Sequence, residues 1–210
     1  MLEFSLEGTD GAARAGTLRM SRGEIPTPAF MPVGTAGTVK ALVPEEVEAL
    51  GATIVLANTY HLYLRPGHEI VRELGGLHEF MRWERPILTD SGGYQVFSLA
   101  PISRIRDEGV EFQSHIDGSR HLFTPESVME VQRALGADIV MAFDECPPGG
   151  ADRQVVREAN RRTREWLIRC HARFHQLEAD GSGPPQSLFP VLQGNVHDDL
   201  RLEAVGYTLD

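Results

Sequence analysis

Two carboxylates, an amide and an aromatic ring lie in this sequence where a rigid backbone would fix them. The run Thr89-Asp90-Ser91-Gly92-Gly93-Tyr94-Gln95-Val96-Phe97-Ser98-Leu99 follows the apolar pair Ile87-Leu88. A short buried strand therefore delivers the Asp90 carboxylate into a glycine turn. Gly92 and Gly93 bare the backbone to close approach, and Tyr94 offers a flat face with a polar tip. A placed acid, an open backbone and an aromatic plate suit a planar, polar ligand, which makes Ser91 to Tyr94 candidate substrate-binding residues. Asp144 ends the apolar run Asp138-Ile139-Val140-Met141-Ala142-Phe143, and Gln193 ends Leu188-Phe189-Pro190-Val191-Leu192. Paired acids suit general acid–base work, or one acid with one binding carboxylate; the competing role of each is to cap the turn or helix that follows it. A carboxylate accepts from N–H groups, and an amide NH2 donates to a carbonyl. Asp144 with Gln193 thus matches the edge of a guanine-like base, with Tyr94 stacked on its face.

Asn58 ends a further apolar run, Thr53-Ile54-Val55-Leu56-Ala57, and opens Asn58-Thr59-Tyr60-His61-Leu62. It is placed to touch a ribose, to hold Asp90, or only to serve its own loop. Cys146 follows Asp144-Glu145, but no histidine is placed in sequence to activate it as a nucleophile, so a small buried thiol is expected. His171 and His175 have the i, i+4 spacing that can hold zinc, yet no third ligand is evident. Together with Arg153, Arg157, Arg161 and Arg164 they are expected on a solvated helix face.

The elements that must position these groups follow from the same runs. Each of the four strand-like runs (residues 53–57, 86–88, 138–143 and 188–192) ends on a polar side chain: Asn58, Asp90, Asp144 or Gln193. Continuous apolarity fits strands covered on both faces, as in a parallel sheet. Functional groups at the C-terminal ends of such strands are what a TIM-type barrel displays, although a doubly wound open sheet shows the same trend. A further strand is expected near Ala29-Phe30-Met31-Pro32-Val33. Helices are expected over Pro44–Leu50, from Thr124-Pro125 to Leu135, and from Asp152 to Glu178, the last burying Val156, Ala159, Leu167, Cys170, Phe174 and Leu177 on one face. Ile116-Asp117-Gly118-Ser119 turns an inserted hairpin near 110–123, and residues 181–185 form a loop.

At 210 residues, with 41% apolar and 24% charged side chains, the composition is that of an ordinary globular chain. A closed eight-stranded barrel takes about 250 residues, so the expected fold class is α/β, a TIM (β/α)8-type barrel incomplete in this chain. The net charge of −10 argues against a broad nucleic-acid surface and leaves any RNA contact local. No run approaches the ~18 apolar residues that span a bilayer. The start Met1-Leu2-Glu3-Phe4-Ser5-Leu6-Glu7 has no basic and apolar leader. With two cysteines, Cys146 and Cys170, the expectation is a cytoplasmic protein with no membrane partner.

The blocks Met31-Pro32-Val33-Gly34-Thr35, Asn58 to Leu62, Leu64-Arg65-Pro66-Gly67, Gly75-Gly76-Leu77-His78, Thr89 to Val96, Phe143-Asp144-Glu145-Cys146 and Gln193-Gly194 resemble the bacterial queuine/tRNA-guanine transglycosylase family. The resemblance runs in order from Phe4 to the end of the chain. It implies a modified TIM barrel, of which residues 1–210 form the N-terminal portion. It also implies exchange of guanine at the tRNA wobble position for a 7-deazaguanine base in queuosine biosynthesis, and a homodimer in the full-length enzyme. Asp90 matches the family's general acid/base. Ser91, Gly92, Gly93 and Tyr94 match its substrate loop, Asp144 the carboxylate that reads the purine N–H edge, and Gln193 the amide that reads the carbonyl. The family's nucleophilic aspartate, its zinc subdomain with Cys/Cys/Cys/His ligands, and its basic tRNA surface lie beyond the position matching Asp210. The zinc ligands are therefore not expected in this chain, and the chain alone is expected to be an inactive fragment. The alternatives are a truncated non-catalytic binding subunit or inactive remnant, and a carboxylate-based hydrolase on another α/β fold.

Overall fold

A computed structural model describes residues 2–99, 103–181 and 183–209. In chain order the elements are β1 (Glu3–Asp10), β2 (Ala13–Met20), β3 (Gly23–Thr27), α1 (Pro44–Ala49), β4 (Val55–Ala57), α2 (Thr59–Leu64), α3 (His68–Glu73), α4 (Leu77–Met81), β5 (Ile87–Thr89), α5 (Gly93–Leu99), β6 (Ser103–Arg106), β7 (Gly109–Gln113), β8 (Arg120–Phe123), α6 (Pro125–Leu135), β9 (Ile139–Met141), α7 (Arg153–Ala179), β10 (Ser187–Phe189) and α8 (Asp198–Leu209). The chain is mixed α/β and divides into two units. One holds residues 1–90, 132–140 and 183–187; the other holds 91–131, 141–182 and 188–210.

The first unit opens with an antiparallel sheet, β1-β2-β3. Its register places Asp10 opposite Ala13 across a tight turn in which Gly11 has φ +58°. A two-residue loop with Gly at its first position, Gly11-Ala12, is a hairpin signal, and none of the expected elements includes this sheet. The parallel strands follow. Val55, Leu56 and Ala57 pair with Ile87, Leu88 and Thr89, and Leu88 and Thr89 pair with Ile139 and Val140. Their side chains are almost wholly buried, as continuous apolar runs require. The strand expected at 29–33 is instead a single parallel bridge of Val33 to Leu56. It is held by Gly34 N–H to Leu56 O (2.7 Å) and Leu56 N–H to Pro32 O (3.0 Å); the prolines at 28 and 32 remove the donors a full strand needs.

One buried carboxylate binds the N-terminal ends of these strands together. Asp138 Oδ2 accepts the Ile87 N–H at 2.9 Å and faces His78 Nε2 at 3.1 Å, and His78 Nδ1 lies 2.8 Å from the Trp83 carbonyl. Gln186 donates to the carbonyls of Gln132 and Ala137, and Ser187 N–H reaches Asp138 O at 2.8 Å.

The second unit is built on α7. Phe143 stacks on Trp166 at 4.7 Å and meets Phe123 edge-on. The buried stripe of α7 runs through Val156, Ala159, Asn160, Thr163, Trp166 and Cys170. Leu167, Phe174 and Leu177, expected to be buried, are only half-covered. The reason is polar: Asn160 donates to Leu200 O, Thr163 Oγ1 accepts the Glu145 N–H, and Trp166 donates to Asp107 O. These bonds rotate the helix toward residues a hydrophobic count passes over. The insert is a three-stranded antiparallel sheet, β6-β7-β8, one strand more than the expected hairpin. Its turn at 114–119 closes with Ser114 N–H to Ser119 O at 2.8 Å. Ser127 N–H and Thr124 Oγ1, with Thr124 N–H and Ser127 Oγ, cap α6 reciprocally. Among the described residues no helix is long and apolar enough to cross a membrane.

Candidate functional site

In the first unit, strand register decides what surrounds Asp90. Ala57 is the pairing partner of Thr89, so the next residues, Asn58 and Asp90, emerge side by side at the C-terminal ends of β4 and β5. Asn58 Nδ2 donates to Asp90 Oδ2 at 2.5 Å, and the Thr59 backbone N–H donates to Oδ1 at 2.9 Å. Thr59 Oγ1 donates to the Asp90 carbonyl at 2.5 Å, and the Asp90 N–H reaches Ala57 O at 3.2 Å. One donor on each oxygen fixes the plane of the carboxylate. Beneath it, Thr89 Oγ1 donates to the fully buried Gln132 at 2.9 Å. Asp90 itself stays half-buried, whereas Asn58 and Thr59 are buried. Of the three roles open to Asn58, the geometry supports holding Asp90. Thr59 was not singled out, although parallel register alone points to it.

In the second unit, Asp144 is the centre. Ser91 Oγ donates to its Oδ1 at 3.1 Å, and Gln193 Nε2 donates to its Oδ2 at 2.6 Å. Asp144 and Gln193 are only 8% and 9% exposed, while Tyr94 on α5 is 64% exposed and presents its ring to solvent. The two glycines before Tyr94 serve different ends. Gly92 has φ +79°, a conformation glycine adopts without strain. Gly93 is a matter of space: a Cβ there would lie 2.7 Å from the Asp144 carbonyl oxygen and 3.2 Å from its Oδ1. Gly194 has φ +116°, and a Cβ on it would meet the Arg201 nitrogen at 2.6 Å, so the Gln193-Gly194 turn seats directly on the start of α8.

The strand end that carries Asp144 is clasped from α7. The Phe143 N–H meets Cys170 Sγ at 3.3 Å and the Glu145 N–H meets Thr163 Oγ1 at 3.1 Å, while the Glu145 carboxylate pairs with Arg162. Burial pushes the Cys170 thiol up to about 12. Cys146 is half-buried, more open than expected, and its thiol is also raised: burial contributes most, then the Asp144 charge, against a hydrogen bond from Gln193. Neither cysteine is an activated nucleophile.

The structure thus groups Asn58 with Asp90, and Ser91, Gly93 and Gln193 with Asp144. Gln193 differs from expectation. The sequence places its amide on a ligand carbonyl, yet one N–H goes to Asp144 and the amide also hydrogen-bonds the Cys146 thiol. His171 and His175 are exposed, with their Nε2 atoms 3.0 Å apart. The arginine face is more engaged than a solvated one: Arg153 pairs with Asp199, and Arg161 pairs with Glu158, Glu165 and Asp107. Among the described residues no group of three or more His, Cys, Asp or Glu gathers as a metal site would.

Residues 9–209 match the family model described as queuine tRNA-ribosyltransferase. The chain is 55% identical over 207 residues to the queuine tRNA-ribosyltransferase of Sphingopyxis alaskensis, covering 99% of this chain and 55% of the relative. It is 55% identical to that of Herpetosiphon aurantiacus (97% of this chain, 50% of the relative) and 58% identical to that of Desulforamulus reducens (90% and 49%). The chain spans about half the length of the curated relatives it matches.

Proposed function

We propose, from the premise that this chain belongs to the queuine tRNA-ribosyltransferase family, that it carries the acid–base and base-reading half of a tRNA-guanine transglycosylase. One observation supports this most: a buried carboxylate, Asp144, joined to the Gln193 amide in the same unit as the exposed ring of Tyr94. An ionised carboxylate is an acceptor on both oxygens, the group that pairs with a purine ring N–H and its exocyclic amine. An N–H of Gln193, released from the Cys146 thiol, then meets the purine carbonyl, with Tyr94 stacked on the ring.

Asp90 is the general acid/base in this reading. When the glycosidic C–N bond at the wobble nucleotide breaks, the departing guanine must gain a proton, and the incoming 7-deazaguanine must lose one before it bonds to ribose C1′. A carboxylate held by one donor per oxygen, yet half-open to solvent, can give and retake that proton. The attacking aspartate belongs to the half of the relatives that this chain does not match, and so do the zinc ligands. Among the described residues no three His, Cys, Asp or Glu gather as a metal site would, and no step runs through that ion. In the same reading, β4, β5, β9 and β10 are the first strands of a TIM-type barrel, with β6-β7-β8 inserted, and the whole enzyme is a cytoplasmic homodimer.

The test uses tRNA labelled in its wobble guanine and an excess of unlabelled 7-deazaguanine. The complete protein bearing this sequence is expected to release labelled guanine, and Asp144→Asn is expected to lower the rate at least tenfold. Release at the full rate by Asp144→Asn would overturn the reading.

A further inference from the structure

We infer that the outward face of β6-β7-β8 docks the phosphodiester backbone of an RNA strand, an inference that rests on the reading of the base site given above. That face lines a groove of about 410 Å³. Strand register arranges its side chains. Arg104 lies opposite Glu111, Glu111 opposite Leu122, and Gln113 opposite Arg120. Adjacent strands are about 4.8 Å apart, so the two arginines flank β7 at roughly 10 Å, on either side of Glu111 and Gln113.

The residues lining the groove include two guanidiniums and one carboxylate. The chain has 30 acidic and 20 basic side chains, and several of its guanidiniums have a carboxylate partner: Arg19 with Glu24, Arg85 with Glu48, Arg153 with Asp199, Arg173 with Glu130. Arg104 and Arg120 are both exposed, and among the described residues neither forms an ion pair. The one acid in the groove, Glu111, is engaged by Arg106 at 3.4 Å, which offsets its charge locally. Two uncommitted guanidiniums, an amide and an exposed leucine remain.

A planar guanidinium binds phosphate through two parallel N–H bonds. A pair of them across a groove suits successive phosphates of one strand better than an isolated anion. In sequence, β6 begins four residues after the end of α5, the helix that carries Tyr94. The strand whose base stacks on Tyr94 is the polyanion this face would meet. A local site of this kind reconciles RNA binding with the net charge of −10.

The test is fluorescence anisotropy of a labelled anticodon stem–loop RNA with the 210-residue chain, between about 50 and about 200 mM salt. Arg104→Gln/Arg120→Gln is expected to weaken binding about tenfold at the lower salt and to flatten the log–log salt slope by about 1.4, the loss of two single-strand phosphate contacts. The charge-reversed Arg104→Glu/Arg120→Glu weakens it further. Arg164→Gln, on α7 outside the groove, leaves it unchanged, and matching circular dichroism shows all variants folded. An unchanged affinity and slope in the double variant overturns the inference, as does no RNA binding by the wild-type chain at the lower salt. Polyglutamate competing as well as RNA at equal charge moves the face to an acidic protein and overturns it too. Guanine binding, measured in parallel, separates the two readings: if it persists while the hairpin variants bind RNA normally, the base site stands and this inference alone fails.

Discussion

Two carboxylates sit at opposite ends of the same parallel strands in the first unit, and they have different tasks. Asp138 precedes β9, is buried, and holds the Ile87 N–H on one side while facing His78 on the other. Asp90 follows β5, takes one donor on each oxygen, and keeps part of its surface open. Burial with every partner supplied by the fold makes an acid structural. Fixed orientation with remaining access makes it available for proton transfer. In TIM barrels the C-terminal strand ends carry function and the N-terminal ends stability, which is the division proposed for these strands.

The sharpest break of this contrast is a pair of substitutions with crossed effects. Asp90→Asn is expected to lower guanine exchange in the complete protein about 10³-fold, within the range for a lost general acid/base, while moving the urea midpoint little. Asp138→Ala is expected to do the reverse. It strands the Ile87 N–H and His78 in the interior and costs about 3 kcal/mol in urea denaturation. If Asp90→Asn destabilised the chain as much as Asp138→Ala, the contrast would collapse.

Gly93→Ala is next in size. Its methyl would press on the Asp144 backbone oxygen, which cannot retreat as a flexible side chain would, so a loss of about 2 kcal/mol and of most guanine affinity is expected by calorimetry. Asn58→Ala removes a donor from Asp90, and thermal denaturation should show about 1 kcal/mol. The smallest effect reports on Asp144. Its charge helps to raise the Cys146 thiol; Asp144→Asn therefore lowers that pKa, increases the thiolate fraction near pH 8 and speeds iodoacetamide labelling of Cys146 a few-fold. Cys170, held up to about 12, reacts only on unfolding in either protein.

What the sequence made legible follows the range of each interaction. Strand ends, helix caps and glycine turns are local, so the placement of Asp90, Asp144 and Gln193 after apolar runs, and the start of α6, are readable from their own neighbourhoods. The Asn58–Asp90 contact, 32 residues apart, was open as one of three roles because register between adjacent parallel strands is short in space but not written in either segment. The clasp of α7 on residues 143–145 was not readable at all. Asn160 and Thr163 are polar, so a count of apolar residues points the helix toward Leu167 and Leu177, and only the bonds to Leu200 and Glu145 show which face turns inward. The N-terminal sheet is hard to read for another reason: β1 is largely exposed, so it lacks a strong apolar alternation, and its Gly11-Ala12 turn is the signal to use.

The central claim is that Asp144 reads the N–H edge of guanine. Calorimetric titration of guanine and of adenine into the chain and into Asp144→Asn tests it most directly. The account predicts that guanine binds at least tenfold more tightly than adenine, whose ring nitrogen at that edge has no hydrogen to give, and that Asp144→Asn removes most of the difference. Equal guanine affinity in the wild-type and Asp144→Asn chains would contradict it.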